Sequence, residues 1–174
     1  MPDVFLSPSS QEYNPYVDGG NEEYYMNIIA DAMIPLLEEN GISYGRNTPE
    51  GTFLDSIRES NTGDYKLHLA LHSNAATPPN AGRIRGTQVY YYPRSEKGRR
   101  AAEIIAQGFR QIYPDPDKVN IVPTTTLGEI VRTKAPAVLI EVAYHDNPED
   151  AQWIRDNIDA IAENLADSVV KILN

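Results

Sequence analysis

Short apolar runs and longer stretches with apolar residues three and four apart succeed one another along this chain, as expected of strands alternating with helices. Val4-Phe5-Leu6 reads as a strand that enters a loop at Ser7-Pro8-Ser9-Ser10. The loop passes Asn14-Pro15 and Gly19-Gly20 and reaches Asn21, a good helix N-cap. The helix that follows carries Ile28, Ile29, Ala32, Met33, Leu36 and Leu37, with Gly41 to close it and Pro35 expected to bend or break it. Residues 42–46 suit a second strand, 52–60 a short helix with Leu54 and Ile57 inward, and 65–72 a third strand. Another strand is expected at 87–92, and an amphipathic helix at 95–113 built on Ala102, Ile105, Ala106 and Phe109. A loop or short strand at 119–122 leads to Leu127-Gly128-Glu129-Ile130, and Ala137-Val138-Leu139-Ile140 is apolar throughout, as in a strand covered on both faces. One last helix is expected from about Pro148 to the end, with Trp153, Ile158, Leu165 and Val169 on its apolar stripe. With no internal repeat, this order predicts a single three-layer α/β domain over 1–174, its twisted, mostly parallel sheet flanked by helices.

In such sheets ligands gather at the carboxyl ends of strands and at the helix starts that follow. His68-Leu69-Ala70-Leu71-His72-Ser73-Asn74 puts two histidines on one face of an apolar strand, with His72 at its polar end. They lie four residues apart, ~13 Å along an extended strand, too far to share one metal ion. Glu141 ends the most apolar strand, where a carboxylate must be paired, metal-bound or raised in pKa. It could equally have surfaced and be solvated. Glu22 and Glu23 occupy the first turn of a helix, where acidic residues are favoured by the dipole alone. His145 follows the Glu141 strand, and Asp146 or Asn147 suits the cap of the last helix.

Composition narrows the partners. The chain has no cysteine, so a metal would be held by His, Glu, Asp, Gln or water. A formal charge of −10 argues against nucleic acid, which requires a basic stripe. No run is long enough to span a membrane, and the opening Met1-Pro2-Asp3-Val4 lacks the basic start and apolar core of a signal peptide. Eleven tyrosines against three phenylalanines suit contact with sugar or peptide, and Tyr90-Tyr91-Tyr92 could form an interaction ridge.

The order of these pieces resembles the zinc-dependent N-acetylmuramoyl-L-alanine amidases of the Amidase_3 family. That family's pattern has Asp-Pro-Gly-His after the first strand and a Glu opening the next helix four residues before an Asn. Ser-x-His-x-Asn-Ala follows on a strand, and Pro-Ala-Val-Leu-x-Glu comes late. This chain offers Glu23 with Asn27, then His72-Ser73-Asn74-Ala75, Pro136-Ala137-Val138-Leu139-Ile140-Glu141 and Ala143-Tyr144-His145-Asp146-Asn147. The resemblance implies a peptidoglycan hydrolase acting on the cell wall, cutting between N-acetylmuramic acid and L-alanine. It implies zinc on Glu23 and His72, with Glu141 as the catalytic base. The chain departs at Ser7-Pro8-Ser9-Ser10, where the first zinc histidine is replaced by Ser10. Gln11 is the expected substitute ligand, with Ser10, His145 or water as the other options. The Ser-Pro-Ser-x-Gln loop is similar to a branch found in clostridia and relatives. The alternative is a catalytically degenerate relative that binds wall fragments or a protein partner.

Overall fold

The computed structural model describes residues 2–174; Met1, the first residue of the expected domain, lies outside them. Six strands, β1 (Val4–Pro8), β2 (Tyr44–Arg46), β3 (Leu67–Asn74), β4 (Thr87–Tyr91), β5 (Val119–Pro123) and β6 (Ala137–Tyr144), form one sheet in the order β2-β1-β3-β6-β4-β5. All neighbours pair in parallel except β4 and β6, which run antiparallel. Six α-helices flank it: α1 (Glu22–Glu39), α2 (Phe53–Thr62), α3 (Glu96–Ile112), α4 (Gly128–Val131), α5 (Pro148–Asp156) and α6 (Ile158–Leu173). This is the single α/β domain with a mostly parallel sheet that the sequence pattern predicts.

Strand alternation divides the molecule. Val4, Leu6, Leu67, Leu69, Leu71, Val138 and Ile140 face α1, α3 and α6 in the large apolar core. The opposite face carries the smaller cluster of Ala70, Ala137, Leu139 and Ile130 under α2 and α4. Residues in register with that cluster, Ser7, His68, His72 and Glu141, therefore project from the thinner side of the sheet.

Four local expectations change. Helix α1 runs unbroken through Pro35. Pro35 and Asp31, whose carbonyl loses its partner, are both exposed, so the lost hydrogen bond leaves no buried polar group. The expected last helix is two, α5 and α6, separated at Asn157, whose side chain donates to the Trp153 carbonyl. Leu54 is exposed at 39% while Ile57 is buried. The tyrosine ridge is split by strand alternation: Tyr90 and Tyr92 pack on the α4 side and Tyr91 against the large core.

The turn into α5 is fixed by two residues. Asn147 caps the helix, its side chain accepting from the amides of Glu149 and Asp150. Asp150, fully buried, accepts from Tyr113 Oη (2.6 Å), the amides of Gly86 and Tyr144 (3.0 Å each) and Arg85 Nε (3.1 Å). That carboxylate ties β4, α3 and the end of β6 together, and so fixes where the Glu141 strand stops.

Candidate functional site

The site is a buried line of side chains in which His72 stands between two carboxylates. His72 Nδ1 lies 2.9 Å from Glu22 Oε1, and its Nε2 lies 3.0 Å from Glu129 Oε2. Glu22 opens α1 behind the Asn21 cap, and Asn14 Nδ2 donates to its other oxygen at 2.7 Å. Glu129 comes from the short α4, laid across the thin face of the sheet. Its Oε1 accepts from Ser7 Oγ and from His68 Nε2 at 3.1 Å. His68 is completed by Ser60 Oγ at 2.9 Å and stacks on Phe5. The two histidines that cannot share an ion thus share a carboxylate, one on each oxygen.

These contacts set the charges. Burial alone would push the Glu129 and Glu22 carboxyls up, but donors outweigh it: His68 and His72 at Glu129, His72 and Asn14 at Glu22. Both pKa values end below the ordinary carboxylate value. Burial pulls His72 down, yet the Glu129 and Glu22 carboxylates outweigh it and hold the imidazole well above the usual histidine value. An ionised carboxylate only accepts hydrogen bonds, so both ring nitrogens of His72 carry protons, Nδ1 toward Glu22 and Nε2 toward Glu129.

Glu141 lies on β6 directly opposite His72 on β3, so both side chains leave the same face. Its Oε2 is buried and has no hydrogen-bond partner. Desolvation pushes its pKa up to about 7, with His72 pulling the other way and Glu22 and Glu129 adding repulsion. A half-protonated carboxyl near neutral pH is suited to taking and returning a proton. A cavity of about 250 Å³ is lined by Gln11, Phe53, His72, Leu127, Glu129 and Leu139.

The structure turns Glu22, not Glu23, toward His72. The buried face of α1 runs through Glu22, Met26, Ile29, Met33 and Leu37, a helical spacing that leaves Glu23 half-exposed. Glu23 lines a separate cavity with Ser10, Glu12 and Glu50. The motif spacing from Asn27 marks Glu23, whereas the hydrophobic phase of the same helix turns Glu22 toward His72. Gln11 reaches the His72 cavity, but its Oε1 accepts from Asn14 at 2.7 Å. His145 is not brought to His72: its Nδ1 meets Ser73 Oγ at 2.9 Å, its ring stacks on Tyr16, and burial lowers its pKa. Glu129 is not among the candidates the sequence offers, because nothing in Leu127-Gly128-Glu129-Ile130 sets its carboxylate apart.

A catalytic zinc site takes three protein donors and leaves a position open. Among the described residues no three His, Asp or Glu side chains converge as a metal-binding group. Two donor atoms do meet, Glu22 Oε1 and His72 Nδ1. Their 2.9 Å separation compares with the ~3.3 Å between neighbouring ligands of a tetrahedral ion bound at ~2.0 Å. That contact is a hydrogen bond between the two side chains, so the residues present do not by themselves form a zinc site.

Fold and site define an open α/β scaffold with a buried carboxyl and a carboxylate-held imidazole at its strand ends. The chain belongs to the N-acetylmuramoyl-L-alanine amidase family, Amidase_3, whose model matches residues 10–171. Its fold is similar to N-acetylmuramoyl-L-alanine amidase AmiC2 of Nostoc punctiforme, with a TM-score of 0.83 at 18% identity over 98% of this chain and 96% of that one. It is also similar to the catalytic domain of the amidase CwlV from Bacillus (Paenibacillus) polymyxa var. colistinus, with a TM-score of 0.82 at 17% identity over 98% and 97%. The amidase Ami1 of Mycobacterium smegmatis gives 0.83 at 14% identity over 99% and 96%. No curated protein sequence matches the chain significantly.

Proposed function

We propose that this chain is a peptidoglycan amidase that acts on the cell wall and cuts the bond between N-acetylmuramic acid and L-alanine. The observation that carries the reading is Glu141, whose buried Oε2 has no partner and which lies in register with His72, a residue that lines a cavity. A carboxyl held that way is costly, and a proton-transfer role offsets what a purely structural role would not. Zinc, if bound, would be held by Glu22 and His72 once their mutual hydrogen bond is given up, and Gln11 is the side chain on the cavity wall that would add a carbonyl oxygen. When bound, zinc supplies a Lewis acid for the scissile carbonyl and lowers the pKa of water. Glu141 takes the proton from the attacking water as its oxygen bonds to the carbonyl carbon. As the C–N bond breaks, Glu141 returns that proton to the leaving alanine nitrogen. Phe53, Leu127 and Leu139 form the apolar wall that orients the substrate and limits water. The Ser7-Pro8-Ser9-x-Gln11 loop suits the clostridial branch of the family.

A second reading rests on Ser10, which stands where the family pattern has its first zinc histidine. On that reading the chain binds wall fragments without cutting them. Elemental analysis of protein purified without chelator, alongside release of new L-alanine amino termini from purified walls, separates the two. The amidase reading expects about one zinc per chain and hydrolysis that rises through about pH 7 as Glu141 ionises. It also expects a loss of ~10²-fold or more in Glu141→Gln. Wall binding without new amino termini, in protein supplied with zinc, would establish the second reading.

A further inference from the structure

We propose that Gln88 binds the substrate: its side-chain amide nitrogen donates a hydrogen bond to the alanine carbonyl oxygen, one residue beyond the bond that is cut. The inference rests on the amidase reading above, with Glu141 as its base. Gln88 on β4 lies directly opposite Glu141 on β6, as His72 does from β3, so the three side chains leave one face of the sheet in a row. The amide of Gln88 is held in one orientation. Its Oε1 accepts from Asn74 Nδ2 at 3.3 Å and from Tyr90 Oη. Asn74 is itself fixed, because its Oδ1 accepts from the Ala75 amide at 2.9 Å. With the oxygen of Gln88 committed to two donors, its Nε2 faces away from them. Among the described residues Nε2 makes no hydrogen bond, yet it is not one of the buried atoms left without a partner, so a ligand can reach it.

The chemistry of that nitrogen selects its partner. Its two hydrogens can meet only an acceptor, and the acceptors that repeat along a peptide stem are carbonyl oxygens. Position selects which carbonyl. His72 and Gln88 flank Glu141, each one strand spacing of ~4.8 Å away. Consecutive peptide units are ~3.8 Å apart. A scissile carbonyl over Glu141 therefore brings the next carbonyl, that of alanine, within reach of the long Gln88 side chain. The Asn74–Gln88 bond crosses over β6, which lies between their strands. Tyr90 lies opposite Leu139, a residue of the His72 cavity, so the strap of Asn74, Gln88 and Tyr90 borders the site on its β4 side. An amide already held at one end loses little freedom when its other end binds.

The test compares two soluble substrates: N-acetylmuramoyl-L-alanine methylamide, and its counterpart in which sulfur, a poor acceptor, replaces the alanine carbonyl oxygen. Wild type should prefer the oxygen compound by ~3- to 10-fold in KM, with kcat within about twofold, as for a contact made equally in ground and transition states. Gln88→Met removes the donor, and Gln88→Glu removes it while still accepting from Asn74 and Tyr90. Both should raise KM for the oxygen compound by about that factor and leave the two compounds equal. The readout is a ratio on one protein, so a loss of packing or a change at Glu141 cancels, and a purely structural Gln88 would leave the preference in place. A preference that survives in either variant, or that is absent from wild type, overturns the proposal. A wild type that binds but does not cut overturns the amidase reading instead. The same ratios, read as dissociation constants by calorimetry, then still decide the role of Gln88. A wild type that binds neither compound overturns both.

Discussion

Glu141→Gln should make the protein more stable at pH 8 while removing its proposed base. In the unfolded chain this carboxyl ionises at its ordinary 4.5, whereas in the fold burial holds it near about 7. Between those values the native state keeps a proton that the unfolded state has released, so stability falls as pH rises through that window. At about 1.4 kcal/mol per pKa unit the full cost approaches ~3 kcal/mol above pH 7. Gln removes the charge but leaves a buried amide without a partner, at about 1–2 kcal/mol, so the net gain should be about 1–2 kcal/mol. For a domain of this size that corresponds to a Tm higher by roughly 2–8 °C. At pH 5 wild type is largely protonated, and the charge-dependent part of the difference should shrink to below about 1 kcal/mol. The assay is urea unfolding of both proteins at pH 5 and pH 8, with Tm as a check. Glu22, His72 and Glu129 are present in both chains, so their own titration is largely shared. If the two proteins lose stability in parallel from pH 5 to 8, the Glu141 carboxylate carries no burial cost and the argument for it as a poised base fails.

Two further outcomes follow from the geometry. Glu22→Gln should lower zinc affinity at least tenfold, while Glu23→Gln, half-exposed in a separate cavity, should bind like wild type; the reverse order would restore the motif-based assignment. Asp150→Ala should destabilise by ~3–5 kcal/mol in urea unfolding, because it strands Arg85, the Tyr113 hydroxyl and two amides in a buried space; a loss under about 1 kcal/mol would contradict the role given to it.

The alternation of apolar runs and helical stripes was enough to predict the sheet, the helices on both faces and the strand ends where His72 and Glu141 lie. Those signals are local: burial along a strand or helix is written in its own spacing. Asn147 as a cap was legible for the same reason. Pro35 was misleading because it falls on the exposed side of α1, where the lost hydrogen bond is tolerated.

The composition of the site was legible only in part. The phase of α1 does mark Glu22, since Met26, Ile29 and Met33 fix its inward face, but motif spacing favoured its neighbour. Glu129 was beyond reach. It lies 57 residues from His72 and 122 from Ser7, and their meeting depends on α4 crossing the face that β1, β3 and β6 build together. The sequence by itself determined which residues are apolar and which strand ends are polar. Only the tertiary structure decided which carboxylates reach His72 and which one is left buried without a partner, because hydrogen bonds between distant segments, and the desolvation they offset, exist only once the chain has closed around them.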